Sequence, residues 1–195
     1  MVQKGCKMAL FNKILAVMLI VSMTVLFACQ KNGYKTEYYR TGEKFERGKE
    51  VNGKREGLWL SWHENGQKLA ERSYVKGEKD GLSTQWFKNG QVQTLAKYKG
   101  GKFIDTVKRF FDNGKLNSVD YYTPDGVHDG EFTIWHEDGT VSQKGSFNKG
   151  KADGIWQSFF KSGKIESISY YKDGKEVGEW VTYDEAGKVV KKVQY

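Results

Sequence analysis

From residue 57 onward the chain runs in short alternating stretches of apolar and polar residues, each closed by a glycine-containing tetrapeptide. Leu58 to His63 is one such stretch, and Glu64-Asn65-Gly66-Gln67 closes it. Gln67 to Tyr74 is the next, closed by Val75-Lys76-Gly77-Glu78. Alternation of this length predicts β-strands, and Asn-Gly between two apolar runs predicts a hairpin whose two central residues both tolerate positive φ. The signal recurs as Asn89-Gly90 and Asn113-Gly114, then as Asp138-Gly139 and Ser162-Gly163. Strands of about 6–8 residues joined by short turns make an antiparallel meander.

The pattern is periodic. Gly57, Gly81, Gly130, Gly154 and Gly178 fall 24 or 25 residues apart once Asp105 fills the missing slot. Three further registers keep step: Gly66, Gly90, Gly114, Gly139, Gly163 and Gly187; Trp62, Trp86, Phe110, Trp135, Phe159 and Tyr183; Tyr74, Tyr98, Tyr122, Phe147, Tyr171 and Tyr195. The one extra residue falls at Thr123-Pro124-Asp125-Gly126. A degenerate unit, 33–56, precedes units starting at 57, 81, 105, 130, 154 and 178, so the repeats span 33–195. Such periodicity marks a repeat architecture.

Pairing across the Asn-Gly turns is expected to set His63 opposite Lys68 and Trp59 opposite Arg72. One face then carries Trp59, His63 and Tyr74, with Phe132, Phe147, Trp156 and Tyr171 in later units, and is the expected packed side. The other face carries Trp62, Trp86, Phe110, Trp135, Phe159 and Tyr183 as a ladder with rungs about 10 Å apart. That ladder is the expected interaction surface, since exposed aromatic rows serve as anchors for partners.

The first residues have a different pattern. Lys4, Lys7 and Lys13 precede an apolar, charge-free run from Ile14 to Phe27, which predicts a secretory signal over residues 1–28. The run ends Leu26-Phe27-Ala28-Cys29, which resembles the lipobox of bacterial lipoproteins. By that resemblance Cys29 carries the lipid and 29–32 form a short tether. An uncleaved anchor and an ordinary signal followed by an incidental cysteine remain as alternatives, and Met8 is a second candidate start. The expected location is the bacterial envelope, at an outer membrane or cell surface.

Composition agrees with a thin sheet. Past residue 28 the chain has 23 Leu, Ile or Val against 26 Phe, Trp or Tyr, and 22 of its 167 residues are Gly. That is too little aliphatic bulk for a thick α/β core and suits many turns between aromatic strands. The chain holds two cysteines, Cys6 in the signal and Cys29, so no thiol is left for a disulfide, a zinc site or a nucleophile. Net charge is +8 overall, and +5 without the first 28 residues, spread over turn lysines. This does not call for nucleic acid.

The unit Gly57-Leu58-Trp59-Leu60-Ser61-Trp62-His63-Glu64-Asn65-Gly66 resembles the variant MORN (membrane occupation and recognition nexus) repeat, in the form used by the YwqK-type antitoxin family. Gly154-Ile155-Trp156-Gln157-Ser158-Phe159-Phe160-Lys161-Ser162-Gly163 resembles it too. The resemblance implies an elongated, single-layer all-β array of hairpins that serves as a scaffold, a membrane-associated platform or a toxin-neutralising partner.

Catalysis needs a constellation outside the repeat. His63 and His136 share a repeat slot with Phe87, Phe111 and Phe160, so they are expected to do a ring's packing work. His128, beside Asp125 and Asp129, is expected in a solvated loop. No carboxylate pair, phosphate loop or metal-ligand spacing stands out. The expectation is a non-enzymatic envelope lipoprotein with no metal or cofactor. It would be tethered to the membrane through Cys29 and bind a protein partner, such as a toxin. Binding of envelope glycan or anionic lipid through the ladder and the basic turns is the alternative.

Overall fold

The computed structural model describes residues 32–195. The signal segment and Cys29 lie outside the described residues. Fifteen strands form one open antiparallel sheet in chain order: β1 (Gly33–Tyr38), β2 (Lys44–Val51), β3 (Lys54–Trp62), β4 (Lys68–Val75), β5 (Glu78–Trp86), β6 (Val92–Lys99), β7 (Lys102–Phe110), β8 (Leu116–Tyr122), β9 (Gly130–Trp135), β10 (Val141–Asn148), the two-residue β11 (Lys151–Ala152), β12 (Gly154–Phe159), β13 (Ile165–Lys172), β14 (Lys175–Tyr183) and β15 (Val189–Gln194). The single-layer all-β meander expected from the periodicity is what the chain forms, with β1 and β15 as its two edges and no helix among the described residues.

The two kinds of turn are exchanged relative to the expectation. At Asn65-Gly66 only the glycine has positive φ, +81°. His63 N–H donates to Gln67 O (2.8 Å) and Gly66 N–H to His63 O (2.9 Å), closing a longer turn. Asn65 is there for its side chain: its Oδ1 accepts the Gln67 N–H at 3.1 Å, as Asn89, Asn113 and Asp138 do for Gln91, Lys115 and Thr140. The longer turn inserts Leu69 as a bulge, so Lys68 pairs with Trp62 and not with His63, while Trp59 does face Arg72. The two-residue turns with positive φ at both positions lie at the opposite edge of the sheet, at Asn52-Gly53, Lys76-Gly77, Gly100-Gly101, Lys149-Gly150 and Asp173-Gly174.

Gly57 and its counterparts are not turn residues. In the pairing of β2 with β3, Lys49 faces Glu56 and Arg47 faces Leu60, so residues 57–59 stand opposite Gly48 alone. Gly57 sits in this bulge with φ +69°, and Gly81, Gly130, Gly154 and Gly178 repeat the conformation. Asp105 adopts it too, at φ +65°, with its carboxylate accepting the Thr106 N–H at 2.9 Å. Asp is among the few side chains that tolerate this region.

A single layer has no second sheet to pack against, so the bulge lays one side chain flat on the neighbouring strand. Trp59 is 2% exposed. It covers Gly48 so closely that a Cβ there would meet its ring at 2.1 Å, and Trp156 covers Gly145 in the same way at 2.3 Å. Size is traded along this pair of slots. Where the covering residue shrinks to Ser83, the covered one grows to Arg72; Val107 goes with Ala96. From Tyr98 onward the same face carries a continuous row of rings, Tyr98, Phe103, Tyr122, His128, Phe147, Trp156, Tyr171, Trp180 and Tyr195, each within 3.9–5.9 Å of the next.

Side-chain bonds to the backbone run along both margins of the sheet, and at the longer turns they join successive units. Tyr39 Oη donates to Trp62 O (2.9 Å), and His63 and His136 Nε2 donate to Trp86 O and Phe159 O (both 3.0 Å). These histidines stand where a ring was expected, and their bond to the next unit fixes the Nε2-protonated tautomer. At the opposite edge Glu56, Asp80 and Asp129 accept the N–H of Lys76, Gly100 and Lys149, which begin or flank the turn ending the same hairpin.

Candidate interaction surface

Trp62, Trp86, Phe110, Trp135, Phe159 and Tyr183 each end an outgoing strand (β3, β5, β7, β9, β12 and β14), directly before the longer turns. Strand alternation places them opposite the face of Trp59 and Tyr74. All six are half-buried. Among the described residues none of these rings packs on another; lysines cover three of the six. Lys44 lies 5.9 Å from the Trp62 ring, Lys68 5.2 Å from Trp86 and Lys144 5.5 Å from Phe159.

Exposed apolar residues on this face include Tyr34 (74%) in the first unit, and Leu58 (53%), Leu82 (71%) and Ile155 (54%), which hold the repeat slot after the bulge glycine. Leu82 borders a shallow groove of ≈310 Å³ with Thr84, Leu95, Lys97, Thr106 and Lys108. The ladder periodicity singled out the last residue of each strand; the more open apolar positions lie four residues earlier. Their signal in the sequence was an aliphatic residue facing away from the packed side.

On the packed face, polar groups outside the repeat come together. Glu46, 4% exposed, takes the Arg55 guanidinium in a two-pronged contact at 3.0 and 2.5 Å, and Arg55 also reaches Tyr74 Oη at 3.2 Å. Burial opposes the Arg55 charge, but Tyr74 and Glu46 outweigh it and hold the group above its ordinary value. Farther along, Arg109 binds the buried Asp120. Asp120 Oδ1 in turn lies 3.5 Å from His128 Nε2.

His128 is not in a solvated loop. The four-residue turn at Thr123–Gly126, where Thr123 N–H donates to Val127 O at 2.8 Å, carries it back over the sheet. There it takes the slot of Phe103, between the rings of Tyr122 (4.8 Å) and Phe147 (3.9 Å). Its Nε2 is buried without a hydrogen-bond partner. Burial pushes its pKa below the ordinary 6.5; Asp120 and Asp129 pull it up, and Arg109 adds to the depression. A base with a lowered folded-state value binds protons in the unfolded chain first, so stability is lost as pH falls below 6.5. His128→Phe, which copies the neighbouring unit, is expected to flatten that acid-side loss in urea melts at pH 7.5, 6.5 and 5.5. An unchanged pH profile would show that His128 does not carry it.

The fold and these surfaces define a hairpin-repeat array whose side chains serve the sheet and its surfaces. The chain belongs to the MORN-repeat-variant family, whose pattern matches residues 55–76, 79–99, 129–149, 152–173 and 176–195, together more than half of the chain. MORN repeats are non-catalytic modules of protein and membrane interaction. The matched segments leave out residues 100–128, which hold Asp105, Arg109, Asp120 and His128. No curated protein matches the chain.

Proposed function

We propose that this protein is an envelope lipoprotein, exported by residues 1–28 and lipidated at Cys29, whose repeat array is a non-enzymatic scaffold for a protein partner. Immunity toward a toxin is the specific form of this reading. The observation that supports it best is the exposure of Leu58, Leu82 and Ile155 on the ladder face, at a slot that Thr106, Glu131 and Glu179 hold in the other units. Aliphatic side chains repeated at one slot are suited to bury against another protein. Glycan binding is the competing reading. Sugars stack on free aromatic faces, and the lysines over Trp62, Trp86 and Phe159 occupy that position. Anionic lipid would be drawn to the same lysines.

Affinity capture with the full chain is expected to recover one dominant protein, lost when Leu58→Glu and Leu82→Glu are combined. Recovery by the double variant would remove the ladder face from the account. Salt-resistant co-sedimentation with sacculi, or salt-sensitive binding that appears only with vesicles containing anionic lipid, would favour the competing reading. Cys29→Ser is expected to move the protein from the membrane to the soluble fraction, and continued membrane association would point to an uncleaved anchor.

A further inference from the structure

Among the described residues, two cations on the packed face have no counterion. Arg72 in β4 pairs with Ser83 in β5, and Tyr74 pairs with Lys79, so Arg72 and Lys79 share one face of adjacent strands. The other basic side chains set into this face are neutralised, Arg55 by Glu46 and Arg109 by Asp120. The repeat shows why this pair is not. The slot that supplies Glu46 to Arg55 holds Ala70 one unit later, and the slot of Asp120 is held by Arg72 itself. Ala70 offers no carboxylate there.

Arg72 Nε is buried with no hydrogen-bond partner among the described residues. Lys79 Nζ stands 4.7 Å from the Tyr98 ring, and among the described residues it makes no ion pair. Burial and the charge of Arg72 pull Lys79 below its ordinary value. Two like charges held half-buried side by side weaken a fold unless something else neutralises them. Their donors suit an oxyanion: a guanidinium offers a planar fork and an ammonium a point charge, and both bonds strengthen away from water.

We propose that Arg72 and Lys79 form a docking site for the carboxylates of an acidic peptide segment. Glu46 lies one unit before the pair and Asp120 two units after it, each already held by its own arginine. One or two carboxylates match the two uncompensated charges. The site lies on the opposite face from Leu58 and Leu82 and does not rest on the function proposed above.

The test is calorimetric titration of the full chain, held in non-ionic detergent, with hexaglutamate. Saturable binding is expected, at least tenfold weaker in Arg72→Met and in Lys79→Met and unchanged in Lys161→Met, an exposed turn lysine. Arg72→Met is also expected to melt no lower than the parent, because it removes an unpaired charge and keeps the side-chain length. Absent binding, undiminished binding in either site variant, tighter binding of inorganic tripolyphosphate than of hexaglutamate, or a lowered melting temperature for Arg72→Met would each overturn the assignment.

Discussion

Gly48→Ala is expected to cost about 3 kcal/mol, near the upper end for an overpacked core. For a domain of this length that is a drop of about 6–12 °C in melting temperature. The added methyl would stand 2.1–2.3 Å from three atoms of the Trp59 indole, and Trp59 has little freedom to withdraw. It is 2% exposed, its Nε1–H donates to Lys49 O at 3.0 Å, and the Arg55 guanidinium lies 4.2 Å from its ring. Gly163→Ala is the contrasting case. Nothing lies within 4 Å of a Cβ there, so only the positive φ opposes the change, at about 1 kcal/mol. Thermal melts of the two variants should separate clearly. Adding Trp59→Leu to Gly48→Ala should recover part of the loss; equal melting of all three would disprove the stacking argument.

Trp156→Ala is the second large effect, about 3 kcal/mol, at the low end for a tryptophan because the residue is half-buried. Trp156 touches Phe132, Phe147 and Tyr171 with centroids at 5.6, 5.1 and 5.9 Å, so its loss opens the ring row between two units. In a repeat array each unit leans on its neighbours. Hydrogen exchange should therefore quicken in β10 and β13 together while β3 and β4 stay protected. Trp156→Phe should be nearly neutral, because Nε1 of Trp156 has no partner to lose. The same change at Trp59 should cost more, by the bond to Lys49 O. Exchange that quickens evenly over the whole sheet would contradict unit-wise stability.

The repeat frame and the meander were legible in the sequence because four residue slots keep one spacing, and a fixed spacing of turn glycine and aromatic has few structural solutions. The turn types were not. Asn-Gly reads the same whether the asparagine contributes its φ or its side chain, and the choice depends on a bulge that only pairing reveals. Gly57 and its counterparts looked like unit boundaries, and the bulge opposite Gly48 explains them as strand interior. His128 was misplaced for a related reason. The extra residue at Thr123–Gly126 reads as a longer loop, whereas the turn absorbs it and returns the imidazole to a ring slot. Arg72 and Lys79 stand out once the slots that hold Glu46 and Asp120 elsewhere are seen to hold Ala70 and Arg72.

Each hydrogen-bonded strand pair joins neighbouring segments of the chain, and the one step over a strand, β10 to β12, passes only the two-residue β11. No segment has to wait for a distant one, so contact order is low for an all-β protein and the slow closure of long loops is avoided. A chain threaded end-first through a narrow opening can then fold hairpin by hairpin, with each new unit using the last one as its template.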